Sequence, residues 1–129
     1  MKISYSLALT LVAGAALGGL AVQTLHAQAK PPVFYVGEID VTDQAGYLKD
    51  FAPKSQAAIK AAGGKFLVLG GNPVGLAGDP PKSRIVIQQW DSMDAMKAWF
   101  DSPAQVELRA IQAKYSKVRI YAATGVAPK

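Results

Sequence analysis

Cysteine is absent from the 129-residue chain. Its absence excludes disulfides, thiol nucleophiles, thiolate metal ligands and a lipid-modified cysteine near the N-terminus. Histidine is almost as scarce, its one copy being His26 in the N-terminal segment. If that segment is removed, the remaining chain holds neither imidazole nor thiol. Ser-His-Asp and Cys-His mechanisms, an axial haem histidine and most transition-metal sites then lack their central group. Carboxylates alone could hold calcium or magnesium, but no spaced acidic loop supports that. No metal and no cofactor is expected. Acidic residues are outnumbered, 9 against 14 Lys and Arg, for a net charge of +5. The basic residues are scattered and form no arm, so nucleic-acid binding is not expected either.

What is present begins with an N-terminal leader. Lys2 supplies a positive start, no charge follows from Ile3 to Leu25, and Leu7 to Val22 is an apolar run rich in Leu, Ala and Gly. Ala27-Gln28-Ala29 is a small-x-small cleavage site followed by Lys30-Pro31-Pro32. That order is the secretory pattern, with cutting expected after Ala29. Cutting after Ala27 would put Leu25 at the small-residue position. The run is short and glycine-diluted for an anchor that stays in the membrane. The expected organisation is a signal peptide over residues 1–29 and one domain over 30–129, periplasmic or secreted, meeting a membrane only during export. Loss of Lys2 with the leader leaves the domain at +4.

Four strands and two helical stretches follow. Val33 to Val41 is β-branched and aromatic, a first strand. Thr42 is positioned to cap a helix, with Leu48, Phe51, Ala52, Ser55, Ile59 and Ala62 near helical spacing on one face. Pro53 should kink or restart this helix, and Gly63-Gly64 should close it with a left-handed cap. Lys65 to Leu69 is a second strand, Asn72 to Lys82 a Gly/Pro-rich loop and Ser83 to Trp90 a third strand. Ser92 opens a helical stretch to Phe100. Ser102-Pro103-Ala104-Gln105 restarts it as a capping box, with helix to about Tyr115. Val118 to Thr124 is the fourth strand. The order β-α-β-β-α-β predicts an α+β, ferredoxin-like sandwich with two helices on one face of an antiparallel sheet. The other face then has apolar residues to bury, for which a second copy is the simplest cover, so a homodimer is expected.

These motifs together resemble the domain-of-unknown-function family numbered 1330. They are Val41-Thr42-Asp43 with Tyr47, Gly63-Gly64-Lys65-Phe66-Leu67-Val68 with Gly70-Gly71, and Arg84-Ile85-Val86-Ile87 with Trp90 and Ser92. Ala98-Trp99-Phe100 with Ser102-Pro103 and the final Gly125-Val126 complete the set. The resemblance implies a ferredoxin-like subunit paired into a dimeric α+β barrel, with no assigned activity. Wider relatives of that fold include cofactor-independent monooxygenases, isomerases and haem proteins, so the fold does not choose a function. This chain has Gln89, Ala104 and Ala123-Thr124 where the family often carries glutamate.

The ligand-binding candidates are Tyr47, Arg84, Trp90, Trp99 and Arg109. Arg84, opening the third strand, has a guanidinium fork suited to a carboxylate or phosphate, or to a surface pair with Asp43, Asp91 or Asp94. Trp90 and Trp99 read as core aromatics or as stacking surfaces for a ligand. Arg109 reads as a salt-bridge or a pocket residue, and Tyr35, Tyr47 and Tyr121 bring hydroxyls. Ser102 is accounted for by capping. The loop at Asn72 to Asp79 lacks the Gly-Lys-Ser/Thr ending of a phosphate-binding loop. The first expectation is an exported homodimer that holds a small anionic or aromatic molecule between sheet and helices. The alternatives are a cofactor-independent oxygenase or isomerase acting on such a molecule, and a structural dimer without ligand. The thin catalytic inventory favours binding over turnover.

Overall fold

The computed structural model describes residues 30–129. The expected leader over residues 1–29, with its expected cleavage site and His26, lies outside them. Strand β1, Val33–Val41, alternates buried and part-buried residues along its length, the period-2 signature of a strand with one covered face. Thr42 and Asp43 both donate their backbone N–H to the Tyr115 carbonyl (2.8 and 3.2 Å). That keeps Thr42 in the strand exit, and helix α1, Gln44–Gly46, starts one residue later than its sequence suggests. Asp43, not Thr42, caps it, accepting from the Gly46 N–H at 3.0 Å.

A π-helical turn, Tyr47–Phe51, comes next, with the Ala52 N–H reaching back to the Tyr47 carbonyl. Helix α2, Ala52–Ala62, carries Pro53 in its first turn. A proline there has no N–H to offer and its ring crowds the carbonyl four residues back, so widening the preceding turn relieves the conflict. Pro53 therefore restarts the helix. Gly63 ends it at φ +101°, in the left-handed cap expected of it.

Strand β2, Lys65–Gly70, contains a bulge between Phe66 and Val68. Strand β3 is Arg84–Trp90. Helix α3, Met93–Phe100, is capped by Ser92, and helix α4, Pro103–Tyr115, by Ser102. Strand β4, Ser116–Thr124, follows directly. The sheet order is β2-β3-β1-β4 and every pairing is antiparallel. This is the ferredoxin-like arrangement the element order predicts.

One sheet face carries Val33, Tyr35 and Ile39 from β1 beside Val86, Gln88 and Trp90 from β3, all buried. Two linked apolar clusters lie on it. Trp90, Trp99, Met96 and Ile59 centre the first; Tyr47, Phe51, Ala52 and Leu108 centre the second. On the opposite face Phe34, Val36, Ile85 and Ile87 are part-buried and Tyr121 is exposed. Ion pairs Lys82–Asp40 (2.8 Å) and Arg119–Glu38 (2.6 Å) flank them. No described helix is long and apolar enough to cross a membrane.

Candidate functional site

Between the sheet and helices α2 and α4 lies a cavity with about 40 Å³ open to the centre of a water-sized sphere. Most of its wall is apolar, from Gly37, Ile39, Phe51, Ile59, Val86 and Ile120. Polar groups interrupt it. Tyr35, Tyr47, Ser55, Arg84, Gln88, Trp99, Gln105 and Gln112 all reach the wall. Several small polar groups converging inside an apolar shell is the usual composition of a ligand site.

Arg84 enters the cavity because β3 begins on the helix-facing register, level with Ile39 of β1. Its guanidinium lies 5.6 Å from the Tyr47 ring centroid. None of Asp43, Asp91 and Asp94, its possible surface partners, bonds it: the ion pairs among the described residues are Lys82–Asp40 and Arg119–Glu38. Its Nε is buried with no hydrogen-bond partner. Burial pushes the Tyr47 hydroxyl above its ordinary pKa, and the Arg84 charge, with hydrogen bonds from Arg84 and Gln112, offsets part of that rise. Burial also holds the Tyr35 phenol well above its ordinary range, with Arg109 pulling it down and Tyr47 pushing it up by smaller amounts. Both tyrosines therefore present neutral hydroxyls at neutral pH.

Trp99 lies between three rings: Tyr35 edge-on at 5.6 Å, Trp90 stacked at 5.0 Å and Phe100 at 6.1 Å. Its Nε1 is buried without an acceptor. Gln105 departs from the capping box. Ser102 Oγ does accept from the Gln105 N–H at 3.3 Å, but the Ser102 N–H donates to the Trp99 carbonyl instead of receiving the glutamine side chain. The Gln105 side chain turns inward, 4% exposed, and its Oε1 has no donor. Arg84 Nε, Trp99 Nε1 and Gln105 Oε1 are the buried side-chain polar atoms left unpartnered among the described residues, and all three residues line this one cavity.

Of the five candidates, Tyr47, Arg84 and Trp99 reach the wall of this cavity. Trp90 is not on the cavity wall. It is 1% exposed, stacks behind Trp99 and donates its Nε1 to Gln88 Oε1 at 2.9 Å. Arg109 is not on the wall either. It donates to the Phe100 carbonyl and lies over the Phe100 ring at 3.9 Å, tying α4 to α3. Tyr121 stands on the opposite sheet face, and so does Gln89, paired with Phe34. Sequence reasoning did not find Ser55, Gln88, Gln105 and Gln112. A usable signal existed for the last two: Gln105, Leu108 and Gln112 are spaced 3 and 4 apart and share the buried stripe of α4. No group of three or more potential metal-ligating side chains occurs among the described residues. A wider groove, about 610 Å³, runs between Asp79–Lys82 and Glu38, Lys117 and Arg119. Three of its charges, Lys82, Glu38 and Arg119, are engaged in the surface ion pairs.

The architecture is that of an α+β, ferredoxin-like domain with a largely apolar cavity, interrupted by polar groups, between sheet and helices. The family model described as "Domain of unknown function (DUF1330)" matches residues 32–126, and the chain belongs to that family. Among solved structures it is similar to a protein of unknown function from Rhodopseudomonas palustris, at 15% identity and a TM-score of 0.60, over 84% of this chain and 93% of that one. It is similar also to SnoaB, a cofactor-independent oxygenase from Streptomyces nogalater, at 18% identity and a TM-score of 0.55, over 76% and 96%. A hypothetical protein from Arabidopsis thaliana matches at 16% identity and a TM-score of 0.57, over 78% and 94%. At these identities the likeness shows the fold alone. No curated protein matches the chain in sequence.

Proposed function

We propose that this is an exported, homodimeric binding protein whose domain takes a small acid into the cavity, with Arg84 as the anchor for its negative charge. The observation that carries this is the buried Arg84 Nε, unpartnered beside a cavity where no carboxylate of the described domain pairs with the guanidinium. A buried donor left without a partner costs about 1–3 kcal/mol, more when charged. An anionic ligand would remove that cost. The neutral Tyr47 hydroxyl, next to the guanidinium and to the Gln112 side chain, would complete the contact.

Calorimetric titration with benzoate and with its neutral counterpart benzamide tests the anion site. Benzoate should bind, benzamide should bind at least tenfold more weakly, and Arg84→Met should remove the difference. Equal affinity for the acid and the amide in the unaltered chain would sink the proposal. Export and pairing rest on the leader pattern and on the part-buried apolar residues of the opposite sheet face. Native mass spectrometry of protein purified from its host should report a dimer of leader-free chains with a retained small molecule. A monomer that keeps its leader would contradict both.

A second reading is a cofactor-independent oxygenase or isomerase. Arg84 and the Tyr47 hydroxyl would then stabilise an oxyanion developing on the bound molecule. The likeness in fold to SnoaB is what favours it. Oxygen uptake or proton exchange with a panel of phenolic and enolisable acids, without added cofactor, should then exceed the rate in Arg84→Met. Equal rates in both proteins would remove this reading.

A further inference from the structure

Two groups of polar side chains on the cavity wall lie at different levels of the sheet. Arg84 is level with Ile39 of β1, and Gln88 is level with Tyr35. Four residues of β3 separate the two levels, roughly 13 Å of strand. Helix α4 repeats the division, since Gln105 and Gln112 lie about two turns, or ~10 Å, apart on its buried stripe. One end gathers Arg84, Tyr47 and Gln112. At the other, Gln105 and Trp99 are neighbours through Ser102, which accepts from the Gln105 N–H and donates to the Trp99 carbonyl, and the Trp99 ring lies against Tyr35. Between them the wall includes Ile59, Val86 and Ile120, and the edge and hydroxyl of the Tyr35 ring lie against Gly37.

The unpartnered atoms follow the same division and differ in kind. At the first end Arg84 Nε is a charged donor that asks for an anion. At the second, Trp99 Nε1 is a donor and Gln105 Oε1 an acceptor, and neither has a partner. A hydroxyl answers both, because it accepts through a lone pair and donates through its O–H. A carboxylate accepts only, and an ammonium donates only. Taken as a compact void, 40 Å³ for water centres widens to roughly 180 Å³ once the water radius is added all round, space for on the order of ten heavy atoms.

We infer that the ligand is a small aromatic hydroxy acid, its carboxylate held by Arg84 at one end of the cavity and its hydroxyl held by Trp99 and Gln105 at the other. This rests on the anion site proposed above and adds the second anchor. The flat ring lies in the apolar waist among Ile59, Val86 and Ile120. The separation of the ends places the hydroxyl opposite the carboxylate, not beside it.

Titration of the full chain with 4-hydroxybenzoate, 4-methoxybenzoate and benzoate tests the second anchor. The hydroxy acid should bind about tenfold more tightly than either of the others. In Gln105→Leu that preference should vanish while benzoate still binds. Equal affinity for 4-hydroxybenzoate and benzoate in the unaltered chain overturns this inference and leaves the anion site standing; a water held by Trp99 and Gln105 would give that result. If none of the acids binds, both fall. Should Gln105→Leu fail to fold, the comparison of ligands on the unaltered chain decides alone.

Discussion

The guanidinium of Arg84 occupies the space that a side chain at residue 70 would need: a Cβ on Gly70 would lie 2.9 Å from Nη1. Gly70 also ends β2 at φ +90°, a conformation that side-chain-bearing residues rarely adopt. Gly70→Ala should therefore act twice. The backbone strain should lower stability by about 1–2 kcal/mol in urea unfolding. The displaced guanidinium should weaken benzoate binding in calorimetry. Lost stability with unchanged affinity would separate Gly70 from the anion site.

Trp90 and Gln88 are each 1% exposed and bonded to one another through Nε1–H and Oε1. Trp90→Phe keeps an aromatic ring but leaves the Gln88 oxygen without its donor. The unmet acceptor alone should cost about 1–3 kcal/mol in urea unfolding. Loss of the Trp90–Trp99 stack should change the near-ultraviolet circular dichroism. Trp90 does not line the cavity, so acid binding in the folded variant should persist.

Ser102 and Gln105 should respond in opposite directions. Ser102 Oγ accepts from the Gln105 N–H and donates to the Trp99 carbonyl at 2.7 Å. Ser102→Ala should lose about 1 kcal/mol as the α4 cap is removed. Gln105→Leu removes a buried acceptor that has no donor, and without ligand its melting temperature should equal or exceed that of the unaltered chain. A large destabilisation in Gln105→Leu would mean that its oxygen is satisfied after all.

Alkaline pH should unfold the domain through its buried phenols. Tyr35 and Tyr47 have folded-state pKa values raised by burial. An acid that holds its proton more tightly when folded contributes its full stability below the unfolded pKa and loses it as pH rises towards the folded one. The urea midpoint should therefore fall from about pH 10 upward. Tyr35→Phe should flatten part of that slope. Tyr115, raised chiefly by its hydrogen bond to Asp50 (2.7 Å), should keep another part of it.

Features set by neighbours in sequence were legible from the residues. Ser92 and Ser102 cap as their surroundings suggest, Gly63 takes the left-handed closing conformation, and Pro53 restarts its helix. The cap at Asp43 was displaced by one residue because Tyr115, far along the chain, holds Thr42 in the strand exit. The site was harder to see for the same reason. Whether Trp90 or Trp99 faces the cavity depends on how α3 packs on β3, which no local pattern contains. The inward turn of Gln105 competes with a cap that the sequence encodes equally well. Only packing against the sheet decides between them, since the Ser102 N–H finds the Trp99 carbonyl first. Gln88 alternates with Val86 and Trp90 on the covered face, and its partner is a tryptophan two residues along the same strand.

The most direct measurement is a crystal structure of the chain grown with 4-hydroxybenzoate. Density between sheet and α4 should show the carboxylate about 3 Å from Arg84 Nε and the hydroxyl within hydrogen-bond distance of Gln105. A cavity filled only by ordered water at saturating acid, or the acid bound elsewhere on the surface, would contradict it.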